Sequence, residues 1–132
     1  MNSIRKNKIK LSKSKITVQV CLIIISISYL YIGLMRIFVG APDLTLAIDN
    51  SMRFYAGGSI AIGLLAIWAM IRVRLENIII FFFAFFVFMT GIGRLVSIFH
   101  VGLADNAHLF YLVIELLLPF IMSVFQIKSN KE

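Results

Sequence analysis

Residues 16–39 read ITVQVCLIIISISYLYIGLMRIFV, with Arg36 as the single charge. The hydrocarbon core of a bilayer is about 30 Å thick, which a helix of roughly 20 apolar residues crosses. In that medium every backbone polar group must find its partner inside the segment, and a helix does this. The stretch predicts a transmembrane helix. Gly40-Ala41-Pro42-Asp43 ends it, because glycine and proline do not comfortably continue a helix. A basic start followed by an apolar run also suits a secretory signal, and Val39-Gly40-Ala41 faintly resembles a cleavage site. A signal's apolar region is only ~7–15 residues long, so the segment reads as an uncleaved span.

Three similar runs follow, at about 51–72, 78–99 and 107–127. Asp49 or Asn50 is placed to cap the second helix, and Asp105 or Asn106 the fourth. The chain of 132 residues is 61% hydrophobic, with a mean hydropathy of +0.98. Soluble domains sit near 45–50% apolar, and one this small could not hide so much apolar surface. The expected fold is an all-α membrane protein: a four-helix antiparallel transmembrane bundle over 16–127. A basic tail, 1–15, precedes it and a short tail, 128–132, follows. The phenylalanine-rich start of the third helix reads as lipid-facing surface and core filler.

The formal charge is +7. Six of the thirteen basic residues are Arg5, Lys6, Lys8, Lys10, Lys13 and Lys15. That is a tail and not a groove with interleaved aromatics, so nucleic acid is not indicated. It reads as a topology signal, which also docks on anionic lipid headgroups. Arg72, Arg74, Lys128 and Lys131 fall on the same side, whereas the loops at 40–50 and 100–106 contain no lysine or arginine. The positive-inside rule puts both termini in the cytoplasm and those two loops outside, in the cell (inner) membrane. The single cysteine, Cys21, excludes an intrachain disulfide, a Cys-x-x-Cys pair and a zinc knuckle.

The two halves echo each other. Gly33-Leu-Met-Arg36 matches Gly91-Ile-Gly-Arg94. Asp49-Asn50 followed by Phe54-Tyr55 matches Asp105-Asn106 followed by Phe110-Tyr111. The pattern suits a parallel repeat about an axis along the membrane normal.

The charges inside the spans gather toward the outer face. Arg36 lies in the last turn of the first helix, Arg53 in the first turn of the second, and Arg94 near the outer end of the third. Glu115 lies roughly 12–14 Å into the fourth at 1.5 Å per residue. A charge at the centre of a span costs about 2.5–3.5 kcal/mol on insertion scales, so these groups are expected to face one another. Residues three or four apart share a helix face. That spacing gives polar stripes: Ser26, Tyr29, Gly33 and Arg36; Asn50, Arg53, Gly57 and Ala61; Thr90, Arg94 and Ser97; His108, Tyr111 and Glu115. Gly57-Gly58, Ala61 and Gly63, with Gly91 and Gly93, are expected to let backbones approach closely.

The candidate pocket residues are Arg36, Asn50, Arg53, Arg94, Ser97, His108, Tyr111 and Glu115. Glu115 neutralises one arginine. The surplus positive charge suits an anionic or carbonyl-bearing ligand entering from outside. Arg53, with no obvious acid on a neighbouring helix, is expected to be the receptor arginine; the contrary case is that it pairs with Asp49 or Asp105 in the outer loops. The plainer alternative is structural: Arg94 and Glu115 fix helix register, while Arg36 and Arg53 snorkel to headgroups. His100 and His108 lack metal-ligand spacing. No metal motif, cofactor motif, phosphate loop or nucleophile–base pattern is present.

On the features Gly33-x-x-Arg36, Asn50-x-x-Arg53-Phe54-x-x-Gly57-Gly58, Gly91-x-x-Arg94-x-x-Ser97 and Glu115, the chain resembles a bacterial four-span membrane family known as domain of unknown function 4345. It is more distantly similar to DoxX-like four-helix membrane proteins, some of which are tied to quinone-linked or redox chemistry. The resemblance covers about 16–127 and implies fold and location, not an activity. The leading expectation is a small binding or accessory subunit with an outward-facing polar pocket for a lipid headgroup, a quinone or another small amphipathic ligand. The alternatives are a membrane enzyme or proton-coupled transporter using Glu115 and His108, and a structural partner in a larger protein complex.

Overall fold

The computed structural model describes residues 12–40, 45–73, 77–102 and 106–131. The described residues form four helices: α1 (Lys13–Val39), α2 (Leu46–Ile71), α3 (Asn77–Val101) and α4 (Asn106–Ser129). All four are long and apolar enough to cross a membrane. Large side chains cover the outside, Phe38 at 80% exposure and Phe82 and Phe120 at 70% among them. Water would not tolerate such a surface and lipid does. The protein is an integral membrane protein, an all-α four-helix bundle.

Each helix extends a little past its expected bounds. α1 begins at Lys13, so Lys13 and Lys15 belong to its first turn and not to the tail. At its other end Gly40 takes φ 63° and donates its N–H to the Arg36 carbonyl. A positive φ of this kind suits a residue without a side chain. α2 starts at Leu46, with Thr45 in the cap position. Asp49 and Asn50, expected as caps, therefore lie inside the helix. Asp49 sits in its first turn, where a carboxylate meets the positive end of the helix dipole. Asp105, the other expected cap, lies outside the described residues.

The helices form two antiparallel hairpins, α1–α2 and α3–α4. α1 packs along α2 on one side and against α4 on the other, and α3 packs on α4. α2 and α3 barely touch. A groove lined by Ile62, Leu65, Ile79, Phe82, Phe83 and Phe86 runs between them.

The apolar core occupies the end of the bundle that carries the termini. Val18, Leu22 and Ile25 of α1 meet Ala66 and Ala69 of α2, Ile80 and Val87 of α3, and Met122 of α4. Each is essentially sequestered, and because lipid tails are as apolar as these side chains, what holds them together is close van der Waals packing rather than escape from water. The opposite end, with the end of α1 and the start of α4, holds Arg36, Arg53, Arg94 and the cavities described below. One end is packed and the other is open.

Close backbone approach depends on Gly33, Gly63 and Gly91. A Cβ on Gly33 would stand 2.8 Å from the Ala56 carbonyl oxygen, and one on Gly63 2.6 Å from Leu30. Gly57, Gly58 and Gly93, expected to do the same, face open space. The helical period explains the difference: Ala56 and Gly63 are buried on the α1-facing side of α2, while Gly57 and Gly58 are rotated to the outside.

Candidate functional site

Gly91 places α3 against α4. A Cβ there would lie 3.1 Å from the Glu115 Cβ and 2.9 Å from Leu116. Arg94, one turn toward the open end, then reaches across to Glu115. Its Nε donates to Glu115 Oε2 at 2.8 Å, and its Nη2 donates to Oε1 at 3.0 Å. This is the two-pronged arrangement that matches a planar guanidinium to a carboxylate. The Glu115 side chain is 9% exposed and that of Arg94 24%. The Arg94 guanidinium also lies 5.7 Å from the centre of the Tyr111 ring, whose face attracts a cation.

One turn inward, the Tyr29 hydroxyl and Thr90 Oγ1 are 2.9 Å apart. Thr90 Oγ1 donates to the Val87 carbonyl at 2.7 Å. The threonine hydrogen is thus committed, and Tyr29 donates to Thr90. This bond ties α1 to α3 beneath the ion pair. On α4, Pro119 sits inside the helix and is buried. It has no N–H to give the Glu115 carbonyl one turn earlier, so the helix ladder is interrupted where the ion pair sits.

Cavities surround this cluster at the open end. One of about 320 Å³ lies between α1 and α4, lined by Tyr31, Met35, Arg36, Arg94, His108 and Tyr111, among others. A second, of about 430 Å³, lies on the α3 side and is reached by Thr90, Arg94, Ser97 and His108. A third, of about 220 Å³, lies between α1 and α2, lined by Ile32, Arg36, Met52, Tyr55, Ala56 and Ser59. Arg94 borders the first two, and Arg36 borders the first and third.

The two arginines differ in partner. Arg94 has its carboxylate. Arg36 Nη1 contacts the Met52 sulfur at 3.5 Å, and among the described residues no carboxylate forms an ion pair with it. Arg53 is not the spare guanidinium that the sequence suggests. Its Nε donates to Asp49 Oδ2 at 2.8 Å, and its Nη1 donates to the Ile37 carbonyl at the end of α1. The longer α2 explains this: it puts Asp49 one turn before Arg53 on the same helical face. Arg53 ties the first turns of α2 to the end of α1 and closes over Gly40.

Of the candidate residues, the fold brings Arg36, Arg94, His108 and Tyr111 to one cavity. Ser97 faces the neighbouring one, and Glu115 lies behind Arg94. Asn50 is exposed on α2 and stands outside the cavity walls, as Arg53 does. Sequence reading missed Met52, Ser59 and Pro119. The internal repeat pointed to the first two, since Met52 and Ser59 occupy the repeat positions of His108 and Glu115. Pro119 is visible in the sequence, but its alignment with the Glu115 carbonyl matters only once α4 is known to be continuous. Among the described residues, no three of His, Cys, Asp and Glu converge as a metal site would need.

The hairpins make corresponding contacts. Gly33 meets Ile60 as Gly91 meets Leu116. The Phe54–Tyr55 rings pack edge-on at 5.7 Å, and the Phe110–Tyr111 rings do so at 6.1 Å. Arg36 shares a cavity with Met52, and Arg94 shares one with His108.

The chain belongs to the family described as domain of unknown function DUF4345, whose family model matches residues 17–126. No curated protein and no solved structure matches it.

Proposed function

We propose that this member of the DUF4345 family is a small binding or accessory subunit of the cell (inner) membrane. Its open end faces outward and holds the polar head of a small amphipathic ligand, a lipid headgroup or a quinone, in the cavities that meet at Arg36. The observation that carries this reading is the contrast between the two arginines. Arg36 lies in the last turn of α1 and is exposed, so its guanidinium sits where a headgroup or a ligand's polar head can reach it. Glu115 answers Arg94, and the described residues offer Arg36 no acid. The walls near Arg36 are apolar and exposed toward lipid: Met35 at 47% and Val39 at 62%. A ligand with an acidic or carbonyl head and an apolar tail satisfies both surfaces.

The orientation rests on charge. Lys13, Lys15, Arg72, Lys128 and Lys131 all belong to the packed end. There the Arg72 guanidinium lies 5.5 Å from the Trp68 ring, an interfacial pairing of aromatic and cation. The basic tail adds attraction to anionic lipids. The rival reading, a proton-coupled role for Glu115 with His108, is disfavoured because both Glu115 oxygens are engaged by Arg94. The test is chemical: an organic extract of the purified chain should contain one enriched amphipathic species. Its presence at equal level in an Arg36→Gln preparation would defeat the reading.

A further inference from the structure

The repeat that carries Phe54-Tyr55 onto Phe110-Tyr111 also carries Ser59 onto Glu115. Its other member carries Gly33 and Arg36 onto Gly91 and Arg94. The contacts follow the same correspondence, with Gly33 on Ile60 and Gly91 on Leu116. In the second hairpin the arginine is therefore met by a built-in carboxylate at 2.8 and 3.0 Å. In the first hairpin the carboxylate position is occupied by a serine, whose hydroxyl turns back to donate to the Tyr55 carbonyl at 3.0 Å. The volume is not filled by another side chain. Ile32, Arg36, Met52, Tyr55, Ala56 and Ser59 line a half-open cavity of about 220 Å³ there.

We infer that the first hairpin contains an oxyanion site between α1 and α2, in which the ligand's phosphate or carboxylate takes beside Arg36 the place that Glu115 holds beside Arg94. The inference rests on Arg36 as the ligand arginine and goes further, since it fixes the head as an anion rather than a neutral carbonyl. Glu115 is in this sense the protein's own imitation of its ligand. The geometry favours a single oxyanion. A planar guanidinium presents two parallel donors to two oxygens of one acid, as Arg94 does. Tyr55, which occupies the repeat position of Tyr111, lines the same cavity as Arg36. Arg36 also borders the α1–α4 cavity, which has room for the remainder of a headgroup. A lipid phosphate and a free phosphate share this chemistry.

The experiment uses the full chain in a nonionic detergent and reads the unfolding midpoint against added phosphatidylglycerol or inorganic phosphate. In the wild type phosphatidylglycerol should raise the midpoint. A rise with inorganic phosphate as well would mark a free anion as sufficient, and a rise with neither would overturn the proposal. Ser59→Glu supplies the missing carboxylate. Its midpoint without lipid should already match that of the lipid-bound wild type, and the further rise with phosphatidylglycerol should be lost. Ser59→Gln, of the same bulk but uncharged, should not show the lipid-free rise. If Ser59→Glu responds to lipid as fully as the wild type while Arg36→Gln does not respond, Arg36 still serves a ligand but the α1–α2 site is wrong. If Arg36→Gln responds as well, the ligand reading itself fails. Should Ser59→Glu not fold, a photoactivatable phosphatidylglycerol on the wild type decides: label in the segment 52–59 supports the site, and label confined to α3 and α4 overturns it.

Discussion

Arg94 and Glu115 meet through two parallel hydrogen bonds, 2.8 and 3.0 Å long, at the boundary between the packed and the open halves of the bundle. Removing one partner of a buried pair leaves the other charge uncompensated, at about 3–5 kcal/mol by precedent. Arg94 is partly exposed, so the lower end of that range applies. Glu115→Gln and Arg94→Gln should each lower the unfolding midpoint in detergent. The double variant should lose less than the sum of the two. Strict additivity in that cycle would mean the pair contributes no coupling.

The approach of α3 to α4 depends on Gly91. Gly91→Ala sets a methyl 3.1 Å from the Glu115 Cβ and 2.9 Å from Leu116 Cδ2. Overpacking of this kind costs about 1–3 kcal/mol. Gly57→Ala meets nothing within 4 Å, and helix propensity favours alanine by up to about 1 kcal/mol. Thermal unfolding should therefore separate the two alanines in opposite directions. Equal losses would place Gly57 in a contact that this bundle does not contain.

Arg53 is exposed and bonded to Asp49 and to the end of α1. An exposed pair contributes only about 0.2–1 kcal/mol. Arg53→Gln should lower stability by no more than that and leave any co-purified ligand at its wild-type level. Loss of the ligand with unchanged stability would return Arg53 to the role the sequence first suggested.

Orientation is tested by thiol labelling in a Cys21→Ala background, since Cys21 lies in the apolar core and alanine adds no polar group there. Thr45→Cys and Asn106→Cys, both at exposed positions of the open end, should react with an impermeant reagent added outside intact cells. Lys131→Cys, at the packed end, should react only after the cells are opened. The reverse pattern would turn the cavities to the cytoplasm.

The fold was legible because its cause is crude. Four runs of apolar side chains leave hydrocarbon as the only solvent, and helices are what hydrocarbon permits. The partnership of Arg94 with Glu115 was also legible, since two opposite charges at similar depth must find each other. Arg53 was not. Its partner Asp49 looked like a cap because the apolar Leu46-Ala-Ile segment gave no sign that α2 begins a turn earlier. The glycines failed for a related reason. Gly57, Gly58 and Gly63 look alike in sequence, and only the rotation of α2 about its axis decides which faces α1. Arg36 needed both kinds of knowledge. Its charge was plain, but the lack of a described acid beside it is a property of the packed hairpin.

The central claim is that Arg36, and not Arg53, answers to something outside the chain. Native mass spectrometry of the wild type, Arg36→Gln and Arg53→Gln, released from the same detergent, measures this directly. A bound amphipathic adduct should appear on the wild type and on Arg53→Gln and be absent from Arg36→Gln. An adduct retained by Arg36→Gln, or lost equally from both variants, would contradict the account.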